Sequence, residues 1–177
     1  MSDALAPLVW TLAALLAIAG FAKLRHPAPA ANAMARAGFG AGRSGARLTG
    51  LLECGVGAWV LLDPGVLALG ALALAYATLA SGIWAMRKAD VADCGCFGES
   101  ASLKPSRLHL VVNLMAAATC ALAALSPPPG LRTAIERTPL EAVALIAGVA
   151  AAILLSYLAF TALPSAWSAY GGGQGER

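Results

Sequence analysis

The stretch VLALGALALAYATLASGIWAM, residues 66–86, decides the fold. It carries no charged side chain, and as an α-helix rising about 1.5 Å per residue it is long enough to cross a hydrocarbon layer about 30 Å thick. Asp63-Pro64-Gly65 marks a tight turn before it. Arg87 and Lys88 follow it, with Trp84 just inside the boundary, where an amphipathic ring is at home. The stretch reads as a transmembrane helix.

The rest of the chain has the same character. Of 177 residues, 59% are hydrophobic and only 12% charged, and the mean hydropathy is +0.75, which excludes an ordinary soluble domain. The net charge of +3 is small and dispersed, with no basic stripe for nucleic acid. Working outward from residues 66–86, the apolar pattern predicts helices over about 7–24, 46–62, 66–86, 107–125 and 140–162. The expected fold is therefore all-α, a polytopic membrane bundle over residues 1–163 with a four-helix core, a fifth transmembrane helix on its flank, and a polar Gly-rich tail over 164–177 that includes Trp167 and Tyr170. The first run lacks the basic start of a secretory signal, since Lys23 and Arg25 come after it, and it reads as a retained span. Its successor, His26 to Arg47, is too interrupted by Pro and Gly to span and is expected at the interface. The next apolar run, Leu48–Leu62, is only about 15 residues, short against the roughly 20 of a comfortable span. Ala68, Gly70, Ala71, Ala73 and Ala75, with Ala147, Gly148, Ala150, Ala151 and Ala152, read as close-packing surfaces of the third and fifth helices.

The chemistry gathers in the polar break between the third and fourth runs, at Asp93-Cys94-Gly95-Cys96-Phe97-Gly98. A disulfide between Cys94 and Cys96 would close a very small ring, for which Gly95 supplies backbone freedom. The strain of such a ring makes the bond easy to reduce, which suits exchange better than stapling. Three readings stand side by side: redox exchange, ligation of a soft metal such as copper by the two thiolates, and inert packing. Cys54 and Cys120, inside apolar runs, read as small hydrophobes. Phe97 is expected to turn into apolar surface and anchor the loop, with the two thiols close and accessible at the mouth of the bundle.

Short connections make neighbouring helices antiparallel, so the end of the first run, the start of the second, the end of the third and the start of the fourth share one side with the cysteine loop. Glu53 then lies about 8–10 Å below that surface, Asn113 at similar depth, and Lys23 reaches the same level. An ionisable residue inside a span costs a few kcal/mol on insertion scales, roughly 2.5–3.5 at the centre, which makes Glu53 a functional candidate. Its roles are to exchange protons as the thiols change state or to pair structurally with Lys23 or Arg25. His109 and Asn113, four apart, share a helix face, and His109 is either a second proton carrier or a solvated polar residue.

Taken in order, Gly20-Phe21-Ala22-Lys23-Leu24 with Pro27, then Glu53, then Asp93-Cys94-Gly95-Cys96-Phe97-Gly98, then Asn113, resemble the MauE branch of the MauE/DoxX redox-associated membrane proteins over about residues 5–125. The resemblance implies a helical membrane protein that supports maturation of disulfide-rich exported proteins such as the methylamine dehydrogenase small subunit, with thiol–disulfide chemistry at the loop. It implies Cys94, Cys96, Glu53 and Lys23 as the reactive set and Asp93, Gly95, Phe97, Gly98 and Asn113 as its support, to which the shared helix face adds His109. The family often has an arginine directly before the asparagine; here Val112 stands there, and Arg107 is the nearby cation.

Nine of the 12 basic residues, Lys23, Arg25, Arg36, Arg43, Arg47, Arg87, Lys88, Lys104 and Arg107, fall on the cysteine side. The positive-inside rule puts that side in the cytoplasm of a bacterial inner membrane, whereas disulfides persist outside it. A cytoplasmic loop would trade electrons with a thioredoxin-like carrier or with quinone in the bilayer; no covalently bound cofactor is implied. Two other functions remain open on the residues alone, a non-catalytic assembly factor that presents the loop to a client, and a soft-metal site. The sequence carries no cue to oligomeric state.

Overall fold

A computed structural model describes residues 2–40, 42–91, 106–137 and 139–161. The elements are α1 (Ser2–Arg25), α2 (Pro27–Arg36), α3 (Gly42–Leu62), α4 (Val66–Lys88), α5 (Arg107–Leu125), α6 (Leu131–Arg137) and α7 (Pro139–Thr161). No strand occurs among the described residues, and α1, α3, α4 and α5 are long and apolar enough to cross a membrane. The fold is a helical membrane bundle.

Local chemistry sets the ends. Pro27 disfavours helical geometry at the residue before it, and His26, at φ −129 and ψ 74, breaks α1 from α2. α2 closes with the paired bonds Phe39 N–H to Met34 O and Gly38 N–H to Ala35 O, made possible by Gly38 at φ +88. α4 closes the same way, with Val91 N–H to Met86 O and Asp90 N–H to Arg87 O, but here Asp90 takes the left-handed position at φ 47.

Two boundaries differ from expectation. α3 is 21 residues long and begins at Gly42, so the short span is not short. The apolar count missed Gly42–Arg47 because Arg43 and Arg47 lie within this polar turn, yet Ala46 is fully buried there against Ala30 and Ala31 of α2. Within the His26–Arg47 stretch, expected not to span, α2 is a 10-residue helix, too short to cross, whose Ala face packs on α3. Of the small-residue surfaces, the one on α4 packs in part, with Ala68 in the core and Ala73 and Ala75 against it, whereas Ala147, Gly148, Ala150 and Ala151 of α7 are exposed. A methyl group added at Gly70 or Gly148 would meet nothing within 4 Å, whereas Gly20 and Gly57 stand hard against the opposing backbone of the α1–α3 pair.

That pair is antiparallel by its contacts, since Gly57 abuts Ala13 and Ala17 while Gly50 abuts Gly20, Lys23 and Leu24. The core joins Val9, Ala13 and Leu16 of α1 to Val60 of α3, Leu69, Leu72 and Tyr76 of α4, and Ala116 and Cys120 of α5. Tyr76 Oη donates to Leu12 O at 2.8 Å, fastening α4 to α1 inside the apolar layer. At the end away from Lys23, Gly130 packs on the Leu62 carbonyl and Pro64, which puts the end of α5 beside the α3–α4 turn. α7 lies along α1, with a gap between them lined by Leu15, Ile18, Ala150, Ile153 and Leu154.

Candidate functional site

The site is built where the C-terminal turn of α1 meets the first half of α3. Gly20 lets the two backbones touch: a methyl group there would lie 2.6 Å from Gly50 O and 2.8 Å from Glu53 Cβ. One turn further on, Lys23 Nζ donates to Glu53 Oε2 at 2.7 Å, and reaches Ala19 O at 3.5 Å. Both residues are more than nine-tenths buried, at 5% and 4% exposure. Glu53 Oε1 is buried with no hydrogen-bond partner among the described residues, leaving one carboxylate oxygen available to accept a proton. Arg25, the other cation considered for Glu53, instead stacks on Phe21 at 5.1 Å.

Lys23 also lines a cavity of about 90 Å³ between α1, α4 and α5, whose wall includes Tyr76, Ile83, His109 and Asn113. The structure thus joins Lys23 and Glu53 directly and brings His109 and Asn113 to the same cavity. Their polar atoms have local duties too. Ser106, the N-cap of α5, accepts from His109 N–H at 3.2 Å, and its own N–H donates to His109 Nδ1 at 3.4 Å, a reciprocal capping box with histidine in the place usually held by Glu or Gln. Asn113 Nδ2 donates to His109 O at 2.7 Å. His109 is therefore not a freely solvated surface residue. Sequence reasoning did not single out Ser106; the signal that could have found it was its spacing of three from His109.

Asp93, Cys94, Gly95, Cys96, Phe97 and Gly98 lie outside the described residues. Of the elements that flank them in sequence, the end of α4 (Ile83 and Met86) and the start of α5 (His109) line cavities together with Lys23. Of the remaining thiols, Cys120 is fully buried in the core and Cys54 Sγ donates to Ala17 O at 3.3 Å, both free. Among the described residues no three or more His, Cys, Asp or Glu side chains gather as metal ligands.

A family model described as methylamine utilisation protein MauE matches residues 1–126, which span α1 to the end of α5. The chain belongs to the MauE family. Neither a curated protein nor a solved structure gives a match. The matched region contains the whole Lys23–Glu53 site and the cysteine segment, while α6 and α7 of this MauE-family protein lie beyond it.

Proposed function

We propose that this MauE-family protein performs thiol–disulfide exchange through Cys94 and Cys96 and thereby supports maturation of disulfide-rich exported proteins, for which the family's example is the methylamine dehydrogenase small subunit. The observation that carries the reading is the buried Lys23–Glu53 pair at the end of the bundle where the cysteine segment is attached. Burying two charges is expensive, and an apolar replacement of such a pair is often as stable or more so, which argues that this one serves chemistry as well as cohesion.

The exchange balances as follows. A partner thiolate attacks one sulfur of the Cys94–Cys96 disulfide, the other cysteine leaves as thiolate, and a second partner thiolate then displaces the first cysteine from the mixed disulfide. The partner loses two electrons and two protons, and Cys94 and Cys96 become thiols; the reverse sequence reduces a partner disulfide. Glu53, with Oε1 available, takes up and returns protons during this cycle, and Lys23 holds its carboxyl in place. Arg87, Lys88, Lys104 and Arg107 flank the segment in sequence, and Asp93 and Glu99 within it oppose their effect on the thiols, so exchange rests on access and proximity of the pair.

A non-catalytic assembly factor is the second reading, favoured by the engagement of Ser106, His109 and Asn113 in capping and helix bonds. Trapping decides between them. In cells, Cys94→Ser or Cys96→Ser should accumulate a mixed disulfide whose partner is identified by mass after non-reducing electrophoresis. No adduct from either variant, together with full client maturation in the double variant, would leave the assembly factor.

A further inference from the structure

We propose that a second cavity is the site of an isoprenoid quinone or its quinol. This groove, about 290 Å³, lies between α2, α3 and α4, with the buried Lys23 of α1 in its lining. The volume is at the lower edge of ordinary small-ligand pockets and admits a substituted six-membered ring. Met34, Phe39, Ile83 and Met86 supply apolar lining, while Thr78 and Ser81 are exposed and lie inside α4, a candidate span, so that the groove opens toward lipid if α4 crosses. An isoprenoid tail can thus stay in the bilayer while the ring enters.

The polar groups select the occupant. Lys23 Nζ carries three N–H donors and uses two, on Glu53 Oε2 and Ala19 O, so one remains for an acceptor in the cavities it lines. Thr49, Thr78 and Ser81 each donate their single O–H to a carbonyl four residues earlier, so inside the groove their oxygens can only accept. The groove therefore presents one buried cationic donor, a partly buried hydroxyl acceptor at Thr49, and two exposed hydroxyl acceptors at Thr78 and Ser81. A quinone carbonyl matches the first and the hydroxyl of a quinol matches the others, on one flat ring; a phospholipid's esters bring acceptors alone, and its only donors are on the headgroup, which competition with phosphatidylethanolamine tests. The choice of a redox ligand rests on the thiol-exchange reading above, which requires a two-electron acceptor: oxidation of the two thiols to a disulfide releases two electrons and two protons, and these convert both quinone carbonyls to hydroxyls.

Gly82 supplies the test, because it lines the groove and a methyl group there would meet nothing within 4 Å. Full-length protein in phospholipid nanodiscs is photolabelled with an azido-substituted ubiquinone, with decylubiquinone as competitor. Label should map to the α2–α3 and α4 peptides that line the groove and fall about tenfold or more in Gly82→Phe and in the milder Gly82→Leu, a loss corresponding to about 1.4 kcal/mol per decade. Gly70→Phe, which adds the same bulk at an equally open position outside the groove, should label like wild type. Label elsewhere, label unchanged in both Gly82 variants, or label displaced by added phosphatidylethanolamine but not by decylubiquinone overturns the site. Cys94→Ser/Cys96→Ser should bind the probe normally yet fail, once reduced, to convert decylubiquinone to quinol. Groove labelling in a wild-type protein that reduces no quinone would uphold the site and count against the thiol reading; thiol exchange with partners but no labelling would do the opposite.

Discussion

Lys23 and Glu53 are each the other's reason for being tolerable in an apolar layer. Removing one leaves a buried charge without its partner, so Lys23→Ala or Glu53→Ala should each lower stability by about 3–5 kcal/mol, read as a loss of folded protein in detergent on heating. The double variant Lys23→Met/Glu53→Leu removes both charges and keeps volume, and should recover wild-type accumulation. If the pair also handles protons for the thiols, that same well-folded double variant fails to mature the client; normal maturation from it would make the pair purely structural. These two residues were legible because an ionisable side chain within an apolar run is conspicuous in a one-dimensional reading. His109 was not, since its helical face can be counted but its use in capping depends on Ser106 folding back onto it. Ser106→Ala should therefore cost about 1 kcal/mol through loss of the N-cap, with His109 Nδ1 losing the Ser106 hydroxyl and keeping only the backbone N–H.

Between elements, the spacing of α1 and α3 is the quantity that lets a lysine and a glutamate meet. Gly20→Val would place atoms where Gly50 O and Glu53 Cβ now stand, 2.6 and 2.8 Å from the first added carbon, and backbone cannot yield as a flexible side chain would. The helices must separate, at about 1–3 kcal/mol for overpacking, and the 2.7 Å ion pair lengthens. Gly55→Ala, on the same helix as Glu53 with nothing within 4 Å, should instead leave the melting temperature unchanged or raise it, since alanine is the better helix former. A thermal comparison of the two variants separates close approach from glycine content. The sequence pattern pointed to the alanine- and glycine-rich faces of the third and fifth helices because composition shows where small residues are frequent. Close approach depends on which glycine faces a backbone, and that is settled by the pairing of α1 with α3. The same limit explains α2 and the start of α3: hydropathy sees Arg43 and Arg47, but the burial of Ala46 against Ala30 and Ala31 arises only once both segments are helical.

For the molecule as a whole, alternation of antiparallel spans turns one orientation into a full topology. With the cysteine segment, the end of α1 and the start of α3 on one side, the Leu62–Val66 turn and α6 fall on the other, and α7, 23 residues long, returns the chain to the cysteine side if it crosses. The positive-inside rule, applied to the nine of 12 basic residues that the sequence puts on that side, predicts a cytoplasmic location, which fusions test. A fluorescent protein fused after Arg177 should then be bright and alkaline phosphatase inactive there, while fusions after Ser126 should show the reverse. In the same cells, a membrane-impermeant maleimide should reach Cys94 and Cys96 only in inverted vesicles, with Cys120 protected in both because it is buried in the core. A cytoplasmic result makes a thioredoxin-like carrier the direct exchange partner. Labelling from the outside would break the positive-inside assignment and let the pair act on an exported client without an intermediary, since the oxidising compartment would then be the one the thiols face.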